Sequence, residues 1–283
     1  MIVDLKLCNR TISTLKQKAK ALLKNLSGKY ALFALPIIFS LVSTSITFRN
    51  NIAAEFDAYG AQTNLSVTIF PALVTFLLSF FTVSTLYIIL EVIRKERQQV
   101  SFNDVAYSFS GTIFGKLFLT LLIRALLVTL WSIPFAIGGG LIAAGIIFLW
   151  DPEFTATPGA LLLIIGILIA VLGFVFMIYK NLQYSQAEFI LYDHLKENRY
   201  QGPLATIKES KSLMKGHVWE LFRLYFTFIG WYLLLLPTLG LIQIYLMPYM
   251  VTTRAYYYQY LLQENDRLPK PSENSYSSAI EIY

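Results

Sequence analysis

The chain has 283 residues, of which 56% are hydrophobic and only 14% charged, with a net charge of +6. Soluble domains carry about 25% charged residues, so this composition excludes an ordinary soluble globular protein. The basic excess falls between apolar runs, which turns its reading from nucleic acid to anionic headgroups at a membrane surface. The single cysteine, Cys8, excludes an intrachain disulfide or a thiolate cluster. It is read as a plain small residue, with acylation near a membrane as the alternative.

Residues 11–26 place Ile12, Leu15, Ala19, Leu22 and Leu23 at helical spacing, with Lys16, Lys18, Lys20 and Lys24 mostly on the other face. Thr11 or Ser13 can start this helix and Gly28 can end it. Residues 1–29 are therefore expected to be a cytoplasmic basic amphipathic segment, lying on the membrane surface or serving as a solvated lead-in that fixes topology. The first apolar run begins only near Tyr30 and lacks a small-residue cleavage site after it, so no cleavable signal peptide is expected.

Spans need roughly 20 apolar residues. They are expected at about 30–48 and 67–92, separated by a polar loop at 49–66 in which Asn64-Leu65-Ser66 matches the common glycosylation tripeptide. Ser101-Phe102-Asn103-Asp104 reads as a cap leading into a short surface helix. The 35 apolar residues 116–150 are too few for two crossings and a turn. Pro134 and Gly138-Gly139-Gly140 are expected to break them into one crossing at about 116–136 and an interfacial helix at 139–150 anchored by Trp150. A fourth span is expected at 159–182, continuing as helix to about Tyr192 before a polar linker. Residues 203–216 read as a cytoplasmic helix with Pro203 at its start, Gly216 at its end, and Leu204, Ile207, Leu213 and Met214 on one apolar side. Spans at 218–236 and 241–260 follow, joined by a turn at Pro237–Gly240. The tail 263–283 is polar and expected to be disordered.

The expected fold class is thus all-α: a polytopic bundle of about six transmembrane spans, filling residues 30–262, with cytoplasmic amphipathic helices. The loops at 49–66, 151–158 and 237–240 carry one basic residue, Arg49, against Glu55, Asp57, Asp151 and Glu153. By the positive-inside rule these loops lie outside, and both termini inside.

Arg124 is the one clear ionisable residue well within an expected span, about 12 Å along the helix from Lys116. Charge at such depth costs about 2.5–3.5 kcal/mol. Either Arg124 contacts an ion, lipid phosphate or substrate, with Asn181 and Gln243 as further polar groups, or it snorkels or pairs with Glu91. Glu188, Asp193 and His194 are read as a solvated helix end, since no metal-ligand spacing surrounds them. Neither a nucleophile elbow nor a phosphate loop occurs. The aromatic residues at span ends, Trp131, Trp150, Trp219, Trp231, Tyr245, Tyr249 and Tyr256-Tyr257-Tyr258, read mostly as belt or packing residues. The Tyr256–Tyr260 group beside Arg254 offers a headgroup or partner-helix contact by cation–π attraction. Gly159, Gly166 and Gly173, seven apart, form a small-residue stripe expected to lie against another helix.

The run Ala205-Thr206-Ile207-Lys208-Glu209-Ser210-Lys211-Ser212-Leu213-Met214-Lys215-Gly216 is followed by Leu221-Phe222, Phe228-Ile229-Gly230-Trp231, Thr238-Leu239-Gly240 and Pro248-Tyr249. With Leu15–Lys20, Leu22-Leu23, Leu130-Trp131 and Ile133-Pro134, it resembles the bacterial integral-membrane family known as domain of unknown function 975. The resemblance is specific in about the last third of the chain. It implies a six-spanning protein of Gram-positive type and carries no functional residue. This chain departs from the family pattern at Phe135 and in the extra segment 137–158.

Together these features lead to the expectation of a non-enzymatic scaffold or accessory subunit in the bacterial cytoplasmic membrane, with no cofactor or metal and no nucleic-acid partner. Its expected partners are anionic headgroups and a membrane protein or a second copy of itself. Arg124, Glu91, Lys208, Lys211, Lys215 and Arg254 are the candidate contacts. A transporter or lipid-handling protein built around Arg124 is the alternative.

Overall fold

A computed structural model describes residues 2–56, 65–150, 156–235, 237–238 and 240–265. The polar loop at 57–64, the acidic loop at 151–155, the tail beyond 265 and the side chain of Cys8 lie outside the described residues. Every regular element among the described residues is helical. Four helices are long and apolar enough to cross a membrane: Lys29–Asn50, Ile69–Ile93, Gly111–Trp150 and Thr157–Lys196. The chain divides into two units, residues 1–114 with 223–283, and residues 115–222.

In the first unit, α1 (Ile2–Asn25) ends before Gly28, as its spacing predicts. Gly28 has φ +80°, and a Cβ there would lie 2.0 Å from the Val100 carbonyl oxygen, so both the turn and the close approach require glycine. Helices α2 (Lys29–Phe56) and α3 (Leu65–Ile93) follow and pack against each other. A 3₁₀ turn, Phe102–Phe109, starts at the expected Ser101 cap, where the Asp104 carboxylate accepts from the Ser101 backbone N–H at 2.7 Å. This turn is tied under α3: Ser108 Oγ donates to the Phe80 carbonyl at 2.9 Å, and its N–H donates to Ser84 Oγ at 3.0 Å. Phe80, Phe109 and Phe114 stack around that junction.

The second unit holds most of α4 (Gly111–Trp150) and all of α5 (Ala156–Gln183), α6 (Ala187–Lys196) and α7 (Pro203–Leu213). The break expected at Pro134 and Gly138–Gly140 is absent, and α4 runs through both as one helix of 40 residues. Two effects explain the continuity. Interrupting an apolar helix strands backbone polar groups that hydrocarbon cannot satisfy. The glycine side of α4 also faces α5 at backbone distance: a Cβ on Gly138 would meet the Ala170 nitrogen at 2.4 Å, and one on Gly145 the Gly159 oxygen at 2.9 Å. The expected stripe on α5 meets this surface, Gly166 against Ile142 and Gly173 against Pro134 and Phe135. Small residues thus let the two backbones touch, while the large ones face away: Ile164 is 66% exposed and Leu168 60%.

The continuous helix expected to reach Tyr192 bends instead at Tyr184-Ser185-Gln186 and restarts as α6. Pro203 opens α7 as predicted, and Gly216, with φ +87°, stands in the turn that follows it. The stretch expected as one span over 218–236 is divided into α8 (Val218–Phe226) and α9 (Ile229–Leu233). Its intervening turns keep their N–H groups bonded, Phe228 to Tyr225, Trp231 to Phe228 and Thr238 to Leu234. Thr227 adds a hydroxyl bond to the Leu224 carbonyl at 2.7 Å, which favours a local turn over an uninterrupted helix. Helix α10 (Gln243–Glu264) completes the first unit and packs on α1, α2 and α3. It carries the buried Tyr257 and Tyr258, which are packing residues, as the span-end reading allows.

Candidate functional site

Arg124 lies on the α4 surface that supports the α5–α6 elbow. Ile123, Leu127, Val128 and Trp131 of α4 pack on Tyr184, Ala187 and Ile207. The sequence offers Glu91 as its partner; the structure gives it Glu188. Arg124 Nη1 donates to the Glu188 carboxylate, and Nη2 reaches Asn181 Oδ1 at 3.4 Å. Glu91 finds a local partner too, accepting from Arg97 Nε at 2.9 Å, while Arg97 Nη1 donates to Asp104 at 2.8 Å. Burial works against the Arg97 charge, but the two carboxylates outweigh it and hold the guanidinium above its ordinary value.

Glu188, Asp193 and His194 correct the sequence reading most sharply. They are not a solvated helix end: every residue of α6 from Ala187 to His194 is buried, His194 to 4% exposure. The reason is tertiary, because a ten-residue helix with α7 and the elbow around it has no free face, and each buried charge then needs a partner. Glu188 has Arg124. His194 Nε2 lies 2.8 Å from Glu209 Oε2, and a carboxylate only accepts, so this nitrogen carries the proton. Arg199 Nη1 stands 3.8 Å from the same carboxylate's other oxygen. Two buried polar atoms, His194 Nδ1 and Gln186 Oε1, have no partner among the described residues.

Ser210 holds the elbow together. Its hydroxyl donates to the Gln183 carbonyl at 2.8 Å and accepts from the Gln186 N–H at 3.2 Å, replacing helix bonds that the bend gives up. Helix α7 therefore divides its KESK run by face. Glu209 and Ser210 turn inward to the polar frame, whereas Lys208, Lys211 and Lys215 are exposed. The predicted apolar side holds for Ile207, Leu213 and Met214, all buried, but Leu204 is 64% exposed.

Of the remaining candidates, Arg254 is half-buried on α10. Gln243 belongs to the first unit and is bound to α2, accepting from Ser40 Oγ and donating to Thr44 Oγ1 at 3.2 Å. On α1, the apolar stripe Ile12, Leu15 and Ala19 is buried in the protein, with α10 as the packing neighbour, instead of lying on a membrane. Lys16 crosses from the polar face to sit 4.6 Å over the Phe228 ring and to donate to Thr227 Oγ1 at 3.0 Å. Burial, then the nearby Lys20 charge, lowers its pKa. Sequence reasoning missed Glu188 as the Arg124 partner. The one available signal is its place seven residues beyond Asn181, two helical turns along the same side.

Within the elbow Arg124 pairs with Glu188 and His194 meets Glu209, and the fold defines an all-helical protein with membrane-length apolar helices. The chain belongs to the family described as "Protein of unknown function (DUF975)", whose model matches residues 10–265. No curated protein and no solved structure matches it.

Proposed function

We propose that this chain is a multi-pass protein of the bacterial cytoplasmic membrane that acts as a non-enzymatic scaffold or accessory subunit, with both termini inside and six crossings. The observation that carries the reading is the two-faced α7: Glu209 and Ser210 fix it from within, and Lys208 and Lys211, with Lys215 in the turn that follows, are presented outward. A rigidly held, charged helix face suits recognition of an acidic protein partner. The test is charge reversal, K208E/K211E/K215E, in the full-length protein. Blue-native electrophoresis of mild-detergent extracts should resolve the wild type in an assembly with a stoichiometric partner, and the variant alone with unchanged expression and insertion. A wild type that runs as a lone chain contradicts the scaffold.

The α4–α5 register supports a revised third crossing. If α5 crosses at about 159–182, the residues paired with it, about 126–149, cross beside it. The part of α4 from Lys116 to Ala125 then lies at the inner face with α6 and α7. At 40 residues α4 is about 60 Å long, roughly twice the 30 Å hydrocarbon thickness, so one helix reaches both regions. Arg124, Asn181 and the Lys180 ammonium over Trp131, 4.7 Å away, would share the inner interface. The N-in topology is unchanged. The fifth crossing is the hydrogen-bonded path through α8 and α9, and the sixth is α10.

The alternative is a transporter or lipid-handling protein working through Arg124, and the Asn181 contact favours it. An R124L/E188L variant that inserts and keeps most of the wild-type stability yet loses all phenotype would select it over the scaffold.

A further inference from the structure

Lysines of α1 converge beside α10, with no carboxylate ion-paired to Lys20 or Lys24 among the described residues. Lys16, Lys20 and Lys24 follow one another at four-residue spacing on α1, so they share a face. Like charges at this spacing destabilise a helix by about 0.2–0.5 kcal/mol per pair, a cost that the two solvent-facing flanks of α1 do not require. Lys20 and Lys24, together with Lys29 at the start of α2, line a cleft of ≈ 250 Å³, several times the roughly 30 Å³ share of a water molecule. Its other walls are Tyr30, Tyr245 and Ile244, each exposed. Lys20 Nζ lies 5.4 Å over the Tyr249 ring, Lys29 Nζ 5.2 Å over Tyr30, and Lys29 also donates to the Leu23 carbonyl at 2.5 Å. Among the described residues no carboxylate forms an ion pair with Lys20, Lys24 or Lys29.

The cleft thus combines cationic with apolar and aromatic groups, and it opens where α2 begins its apolar run. A free anion would use only the lysines; a small apolar molecule would leave them unanswered. We propose that this cleft holds the phosphate headgroup of an anionic membrane lipid, with Lys20, Lys24 and Lys29 around the phosphate and Ile244 and Tyr245 against the first part of the acyl chains. Three ammonium groups act as mobile point charges suited to phosphate, and the aromatic rings restrict where those charges sit. The inference rests on α2 entering the membrane at Lys29, as proposed above, and not on the scaffold role.

The experiment uses full-length protein in a neutral detergent, with melting temperature as the readout, because a ligand that binds only the folded state stabilises it. The probes are phosphatidylglycerol, phosphatidylcholine and inorganic phosphate. Phosphatidylglycerol should raise the melting temperature by several degrees, phosphatidylcholine and phosphate should not, and added salt should shrink the effect. K20Q/K24Q should lose at least half of the shift. K208Q/K211Q, with the same loss of charge on α7, should keep it. Equal shifts from the two lipids, a full response to inorganic phosphate alone, or equal losses in both variants would overturn the proposal. The melting temperature without lipid reports folding of K20Q/K24Q separately, and salt sensitivity of the wild-type shift tests the site without any variant. None of these readouts depends on topology, so an error in the crossings and a failure of the lipid site give different results.

Discussion

Helices α5 and α6 are consecutive in sequence and opposite in design. In α5 the large apolar side chains are exposed and the glycines lie against α4; in α6 the ionisable groups Glu188, Asp193 and His194 are buried. Water would favour the reverse in both. Exposed apolar surface on this scale marks a helix whose surroundings are themselves apolar, and there backbone contact through small residues replaces the hydrophobic drive for association. Helix α6 shows the other half of the rule: once a bend turns the chain back into protein, polar groups are tolerated where they meet built partners, Glu188 with Arg124 and His194 with Glu209. The contrast supports the proposed placement, in which these two helices have different solvents and the elbow at Tyr184–Gln186 is where one environment gives way to the other.

The comparison breaks most severely at the glycines. Gly138→Leu forces a side chain into the Ala170 backbone and should abolish the folded protein; even Gly138→Ala carries an overpacking penalty of about 1–3 kcal/mol. Fluorescence-detected size-exclusion chromatography in detergent would check both. Next comes the partly buried pair. Arg124→Ala leaves Glu188 uncompensated and should cost about 3 kcal/mol, read as a fall in melting temperature. R124L/E188L should recover most of it, which a role in binding would not predict. Ser210→Ala strands the Gln183 carbonyl and Gln186 N–H at the elbow, at about 1–3 kcal/mol, with faster proteolysis of the 184–202 region. Gly139→Ala is the control for the first prediction, since a Cβ there meets nothing within 4 Å; its melting temperature should match or slightly exceed the wild type.

The smallest effect is expected at Lys20→Gln, which relieves repulsion along α1 and should change stability by no more than ~0.5 kcal/mol. Its pH dependence carries the sign. Lys16 is lowered below 10.5 by burial and by Lys20, so its charged form weakens folding at neutral pH, and that penalty fades as pH rises through the lowered value toward 10.5. Removing the Lys20 charge should flatten this rise in an alkaline melting series.

The sequence was legible where structure follows from local stereochemistry. Gly28, Pro203, Gly216 and the Ser101–Asp104 cap stand where their chemistry predicts, and the seven-residue glycine spacing on α5 marks a true contact face. It was not legible where a neighbour decides. Gly138–Gly140 has the same local preference whether it ends a helix or fits one against α5, and only the opposing Ala170 distinguishes these outcomes. Glu188 and His194 look like a polar helix end because nothing in their own segment reveals Arg124 or Glu209. Of the candidate residues, Lys208, Lys211 and Lys215 are exposed, whereas Arg124 and Glu91 are engaged in internal pairs that charge counting alone could not assign.

The central claim is that the glycine-packed half of α4 is its membrane crossing and the Arg124 half lies at the inner interface. Cysteine scanning tests it directly, on a Cys8→Ser background with a membrane-impermeant maleimide applied to right-side-out and inside-out vesicles. The account predicts that Leu119→Cys and Leu122→Cys label from the inner side and that Ile137→Cys and Ile146→Cys stay protected from both. Protection at Leu119 and Leu122 with labelling at Ile146 would contradict it and return the crossing to residues 116–136.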